Sequence, residues 1–457
     1  MGKRVFDRRR FLQAALFGSG ALLTTRVGRA RAQSLSGKKV IVVGGGISGL
    51  GAARSLARQG ANVTVLEANP HIGGRLRTDF SMGAPFEFGA GWVHGPSGSN
   101  PVRGLVDAVG GKLVVTDDDN LVVFDAHGNM LNDRSLDKIN ADWAAVLKTL
   151  DDALDNGDRR SLRDAIRDLA PRALDDPGVM WALSAYTEFS KGGPIENLSA
   201  LYFNADKAFP SADAVVSTGY DKILGPLADG LDIRLSTVVR QVKYGSGGVN
   251  VLTDKGRFDG DFVICSVPLG VLKAEKITFT PALPEGYSRK ISRQGFGSVT
   301  KIAFKFEEAF WDTETQYFGV MGAEKGRWNY WLNYRTFSNQ NIILGLSMGA
   351  YALRADRMSD RQMAEDALAV LRTVWGEDVG TPVQTLTTHW SIDPHAFGAY
   401  SYPRPDTVPS DFDDLGEAVE KCLFLCGEHT IFDYAGTTHG AYMSGLRSAE
   451  GVIAATR

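Results

Sequence analysis

Gly44-Gly45-Gly46-Ile47-Ser48-Gly49 places glycines in the spacing G-x-G-x-x-G, and Glu67 follows 23 residues after the first of them. The chemistry open to such a set is the holding of phosphate and ribose. Gly44 allows a tight turn, Gly46 lets a pyrophosphate reach the backbone, and Gly49 brings a helix close to a strand. The flanking residues supply those elements. Lys39 to Val43 is an apolar, β-branched run that reads as a buried strand, Leu50 to Gln59 has helical spacing, and Asn62 to Leu66 reads as a second strand ending at Glu67. Phosphates then face the helix N-terminus beside Ile47 and Ser48, and the Glu67 carboxylate accepts from ribose hydroxyls. This is a dinucleotide site, and the fingerprint alone does not separate NAD from FAD.

Other residues carry potential chemistry without so clear a frame. Gly73-Gly74-Arg75 follows Ala68 just beyond the second strand; its glycines permit close backbone approach, and Arg75 offers a planar fork to pyrophosphate oxygens. Thr300 to Phe306 alternates strictly and puts Lys301, Ala303 and Lys305 on one strand face, where the pattern alone makes Lys301 a solvated lysine. His94 and His439 lie in glycine-rich stretches, and no histidine pair has ligand spacing, so no metal is expected. Cys422 and Cys426 sit at the ends of one apolar strand, about 13 Å apart at roughly 3.3 Å per residue, too far to bridge. With Cys265 they read as three buried free thiols.

The 457 residues are too many for one ordinary core, and two domains are the expectation. No internal run reaches the roughly 18 apolar residues of a spanning helix. The net charge of −3 and the absence of a basic block beyond the first dozen residues disfavour a nucleic-acid partner. Arg8-Arg9-Arg10-Phe11-Leu12, the apolar stretch Ala14 to Thr25 and Ala30-Arg31-Ala32 read as a twin-arginine export signal over residues 1–32, cut after Ala32. The expected destination is periplasmic or secreted. The mature chain then carries 42 basic and 52 acidic residues, a net of −10.

Several stretches resemble one family. Gly89-Ala90-Gly91-Trp92-Val93-His94-Gly95-Pro96, the run from Trp390 through Asp393-Pro394 to Gly398-Ala399-Tyr400, Cys426-Gly427-Glu428-His429-Thr430, and Thr437-Thr438-His439-Gly440-Ala441-Tyr442-Met443-Ser444-Gly445 are similar to segments of the flavin-containing amine oxidases, most clearly the polyamine oxidase branch. Together with the Gly-Gly-Arg turn the likeness runs from residue 39 to 457. It implies an α/β, two-domain glutathione-reductase-like FAD-binding fold of Rossmann type with an α+β substrate domain. Residues 38–99, 215–279 and 415–457 would form the FAD-binding domain, and 100–214 and 280–414 the substrate domain.

The resemblance also implies roles. Gly89, Ala90, Gly91, Trp92, Val239, Trp390, Gly427, Glu428, Thr438, His439 and Ala441 would contact a non-covalently held FAD. Trp92, His94, Tyr400, Thr437 and Thr438 would face the substrate. Lys301 would hold a water at the flavin N5 and, with His94, count as catalytic, reversing the reading from pattern alone. The reaction implied is hydride transfer from the carbon beside an amine nitrogen, most simply of a polyamine, giving an imine that hydrolyses to aldehyde and amine. The acceptor of the electrons would be oxygen, releasing hydrogen peroxide, or a redox protein. An L-amino-acid oxidase of the same fold would need a cation for the carboxylate, for which Arg103, Arg327 and Arg335 are candidates. A flavin-holding protein without turnover is the rival from another class, and the intact Lys301 and closing motif speak against it. Gly91 and Ala399 depart from the family's usual residues, which bears on substrate identity more than on cofactor binding.

Overall fold

The computed structural model of the chain describes residues 35–457, so the export segment expected from the sequence lies outside the described residues. Lys39–Val43 and Asn62–Leu66 are parallel neighbours, in register from Lys39 opposite Asn62 to Val43 opposite Leu66, with the helix Ile47–Arg58 between them in sequence. Four of the five residues in Lys39–Val43 are buried. Such burial on both faces is what an unbroken apolar strand requires. The chain returns to this sheet with Asp232–Arg234 outside Asn62–Leu66, and with Phe262–Cys265 and Leu423–Leu425 on the other side. Ala418–Val419 closes that edge antiparallel. The first strand is therefore central, and the carboxyl ends of the parallel strands open toward one crevice.

The last helix, Thr438–Ala455, packs across Ile47–Arg58. Gly445 makes this possible, because a Cβ there would stand 2.1 Å from the Ser48 carbonyl oxygen. Ser48 and Ser444 hydroxyls meet at the crossing, 3.1 Å apart. The three cysteines are free and buried.

A second, mixed six-stranded sheet has the order Gln384–Thr387, Thr300–Lys305, Ile342–Ser347, Tyr330–Asn333, Tyr317–Val320, Leu121–Phe124. Only its last pairing is parallel. Alternation along Thr300–Lys305 sends Ile302 and Phe304 against Met363, Ala367 and Leu371 of the helix Asp360–Trp375, and Ala303 into a different apolar cluster. Each such side chain taken from water contributes about 1.5–3 kcal/mol. Both faces of the strand are covered, so Lys301 is buried, and the solvated lysine of the alternating pattern is corrected. Helices Asp133–Ala153, Leu162–Leu169 and Pro177–Ala182, followed by the π-helical Leu183–Glu188, cover the other side. Ala214–Val216 pairs with both Trp92–Val93 and Leu113–Val115. A boundary between residues 214 and 215 therefore cuts a strand, since three segments assigned to two domains share one small sheet.

Candidate active site

A cavity of about 640 Å³ runs from the glycine turn after Lys39–Val43 to the face of the mixed sheet. That lies within the range of small-molecule and cofactor sites. At its first end Gly44 has φ +106°, and a Cβ there would come within 2.5 Å of Ser266 Oγ; at Gly49 one would lie 2.1 Å from the Gly44 carbonyl oxygen. Gly46 differs. Its nearest neighbour to an added Cβ is Gly73 O at 3.8 Å, and Gly46 lines the cavity. No side chain caps the helix that starts at Ile47, and its first turn holds no acid. Helix N–H groups left in this way are suited to an anionic group. Gly73, Gly74, Ala68 and Val239 also line this end, Val239 at a bulge in its strand.

Glu67 is buried and ties the loop together. Its Oε2 accepts from Gly45 N at 2.6 Å, and its Oε1 accepts from the Asn69 backbone and side-chain amides at 2.8 and 3.0 Å. The residues present thus fit a dinucleotide: an open helix end, a cradle that a side chain would fill, and an acid held at the end of the second strand. Gly46→Val tests the cradle. Gly46 has φ −78° and ψ 175°, which valine adopts readily, so the variant is expected to fold. Losing two charge-assisted contacts at about 1.5–3 kcal/mol each weakens cofactor retention by about 100-fold or more. Flavin absorbance of the purified variant, set beside its melting curve, measures both.

Arg75 and Glu428 meet at the centre. Arg75 Nη1 donates to Glu428 Oε1 at 2.8 Å and to Ala399 O at 2.7 Å. Glu428 Oε2 accepts from Ser401 N, Ser401 Oγ and Gly436 N at 3.2, 2.5 and 3.0 Å. Burial works to raise the Glu428 pKa, but Arg75 and these donors together hold it below the usual carboxylate range. One Arg75 nitrogen is therefore committed inside the protein, which amends the picture of a fork given wholly to pyrophosphate.

Lys301 projects from the mixed sheet and is 5% exposed. Its Nζ donates to the carbonyls of Glu87 and Gly89 at 2.9 and 2.5 Å and lies 5.9 Å from the Trp92 ring centre. Burial pushes its pKa down to about 8, against the pull of Glu87. Burial likewise pushes Glu87 up to about 7. Gly91 takes its meaning from this lysine: a Cβ at Gly91 would stand 3.4 Å from Nζ. The backbone of Gly89 and Ala90 beside it lines the cavity.

Aromatic side chains wall the other end. Trp92 meets Phe189 edge-on at 5.7 Å, Phe189 lies 6.2 Å from Tyr330, and Tyr330 stacks on Tyr317 at 5.1 Å. Tyr400 donates its hydroxyl to Phe189 O, and Trp390 donates to Phe88 O at 2.8 Å, so both rings are fixed. Thr437, Thr438, Ala441, His439 and Gly427 line the cavity around the start of the last helix. Thr437 Oγ1 accepts from Gly440 N at 3.0 Å and donates to Tyr434 O at 2.7 Å. Its hydroxyl caps the helix while the residue lines the cavity. His439 is buried, with its ring edge-on to Phe209 and Tyr434.

Three residues that sequence reasoning passed over complete the site. Asp213 Oδ2 is 2.7 Å from His94 Nδ1, and its Oδ1 accepts from Gly95 N at 3.1 Å. An ionised carboxylate only accepts, so His94 Nδ1 is the donor of this pair and Nε2 is turned away from it. Asp356, fully buried, accepts from Ser298 Oγ, Thr300 Oγ1 and Ser391 N at 2.7, 2.6 and 2.7 Å. It thereby binds the Lys301 strand to the Trp390 loop. Glu87 left a signal, an acid between Phe86 and Phe88, whereas Asp213 and Asp356 left none. Arg103, Arg327 and Arg335 all lie outside the cavity, bonded to Asp107, Asp366 and Asn339. Among the described residues no cluster of histidine, cysteine or acid could hold a metal ion, and no helix is long and apolar enough to cross a membrane.

The family model described as flavin containing amine oxidoreductase matches residues 47–453. The chain is 30% identical over 453 residues to polyamine oxidase 4 of Oryza sativa subsp. japonica, covering 94% of this chain and 91% of the rice protein. It is 32% identical to lysine-specific histone demethylase 1 homolog 3 of Arabidopsis thaliana, covering 91% of this chain and 30% of that longer protein. A solved wild-type putrescine oxidase with putrescine bound matches with a TM-score of 0.74 at 21% identity, over 91% of this chain and 99% of its own. That likeness is one of fold.

Proposed function

Because the chain belongs to the flavin-containing amine oxidoreductases and oxidises an amine with FAD, we propose that its substrate is a polyamine. The observation that carries this reading is the pairing of an aromatic wall with two acids, Asp118 and Asp213, on the lining of the same cavity. A chain with one neutral amine among the aromatic rings and further ammonium groups beyond them matches that layout. Two lysines on that lining are already paired, Lys191 with Asp206 and Lys207 with Asp433. Arg103, Arg327 and Arg335, the cations considered for the carboxylate of an amino acid, lie outside this cavity.

The glycine turn, Glu67 and the open end of the helix Ile47–Arg58 would hold FAD, which would supply the hydride acceptor for the carbon beside the nitrogen. The chain's own residues do the rest. Trp92, Phe189 and Tyr400 exclude water and favour the uncharged amine. His94, oriented by Asp213, presents Nε2 to the amine nitrogen, and the Lys301 ammonium supplies a fixed positive charge at the junction with the cofactor end. Imine hydrolysis then gives an aldehyde and an amine. Among the described residues no cysteine lines the cavity, so a cysteinyl link to FAD has no candidate there.

The test is anaerobic bleaching of flavin absorbance by spermine, spermidine, acetylated polyamines, putrescine, aromatic monoamines and L-amino acids. Polyamines are expected to act fastest, and bleaching by amino acids alone would overturn the assignment. Asp118→Asn is expected to raise KM for spermine by about 10-fold, a charge-assisted contact of about 1.5 kcal/mol, and to leave a monoamine unaffected. An equal change for both substrates counts against the ammonium site. Admitting air afterwards separates oxygen from a redox protein as acceptor. We also propose export by the twin-arginine route to a periplasmic or secreted location, on the strength of Arg8 to Ala32. Retention in the cytoplasm when Arg8 and Arg9 become lysine is the expected result, and unchanged export argues for another route.

A further inference from the structure

A second cavity, of about 20 Å³, lies between the mixed sheet and the Phe86–Trp92 segment. Glu87, Lys301 and Tyr334 bring titratable groups to it, while Val215, Leu332 and Leu344 make its apolar side. That volume holds one water molecule, which persists in a protein interior when it has two to four polar partners. Lys301 Nζ uses two donors on the Glu87 and Gly89 carbonyls, leaving a third. Glu87 Oε1 accepts from Tyr220 N at 2.9 Å and Oε2 from Thr78 Oγ1 at 2.7 Å, so each oxygen keeps accepting capacity. The two residues are 5% and 7% exposed, and the bonds that Lys301 Nζ makes go to backbone carbonyls rather than to the Glu87 carboxylate.

We propose that one buried water in this cavity bridges the Lys301 ammonium to the Glu87 carboxylate, and that Glu87 is the positioning residue that keeps Lys301 protonated. The proposal holds whichever amine is the substrate. The groups facing the pair are few. Asp221 acts on Glu87 from the loop that also carries Tyr220, and burial pushes the hydroxyls of Tyr220 and Tyr334 far up, so that both stay neutral. The Lys301 charge therefore has Glu87 as its counter-ion, with Asp221 one step further away.

The experiment has two arms on the FAD-loaded protein. A high-resolution crystal structure of the wild type is expected to show one water within hydrogen-bond distance of both Lys301 Nζ and the Glu87 carboxylate. A dry cavity overturns the proposal. In the second arm, protein labelled with 13C at lysine Cε is titrated by NMR, with Lys301→Met identifying the resonance. Glu87→Gln is expected to move the Lys301 midpoint to lower pH by about one unit or more, since its anion favours the ammonium. Glu87→Asp keeps the charge but withdraws it by one methylene, and is expected to move the midpoint the same way by less. An unmoved midpoint in folded Glu87→Gln overturns the role of Glu87.

Discussion

Lys301→Met slows the anaerobic bleaching of the flavin by amine, or its recovery in air, by about 100-fold or more while FAD stays bound. The expectation rests on where the lysine sits. Its ammonium is buried at the junction of the cofactor end and the aromatic end, and it is fastened to the Glu87 and Gly89 carbonyls. Methionine fills nearly the same length without the charge, so packing is largely kept while two carbonyls lose their donor. Leaving those unpaired costs about 1–3 kcal/mol each, and the melting temperature is expected to fall modestly. FAD retention is not expected to change, because the glycine loop and the open helix end lie away from this strand. Stopped-flow absorbance resolves the two half-reactions. If both proceed at the wild-type rate, Lys301 has only a structural role.

Glu428→Ala is expected to have the largest effect on integrity. The carboxylate joins Arg75, the Ser401 amide and hydroxyl, and the Gly436 amide, which come from three distant parts of the chain. Removing it strands a largely buried guanidinium and three donors, at a cost of about 3–5 kcal/mol. Denaturant unfolding followed by fluorescence measures the loss, and the flavin-to-protein absorbance ratio is expected to drop with it. Glu428→Gln keeps an acceptor and is expected to lose less. The same carboxylate sets a direction for acid. Its folded pKa lies below the ordinary 4.5, so its stabilisation is present above that value and is lost as pH falls through the folded one. The wild-type protein is therefore expected to lose stability more steeply below pH 4.5 than Glu428→Gln. Parallel curves for the two would contradict the pairing with Arg75.

How far the sequence reaches is visible in particular elements. The two strands Lys39–Val43 and Asn62–Leu66 fall where their β-branched runs place them, and the helix between them starts three residues earlier than its apolar spacing suggested. The reason is that these features are local. Strand burial, a glycine's backbone freedom and a helix N-terminus are all decided within a few residues, and the glycine spacing encodes the phosphate cradle directly. Motif resemblance extended this to the segments around Trp92, Trp390 and Thr437, whose residues line one cavity in the structure.

Lys301 marks the limit. Its alternating strand reads as half-solvated, and only the packing of helices and loops on both faces of the sheet takes the lysine out of water. The partners are further still from local reach. Asp213 stands 119 residues from His94, Asp356 lies 56 from Thr300, and Glu428 lies 353 from Arg75. A carboxylate in a polar stretch looks alike in sequence whether it faces solvent or closes a buried network. What distinguishes them is the cost of burying a charge, which exists only once distant segments have packed around it. The sequence by itself determined the cofactor cradle and the chemistry it serves. Tertiary structure decided which carbonyls hold the lysine and which acids hold the histidine and the arginine in place, because burial and pairing belong to the folded assembly of segments and to none of them alone.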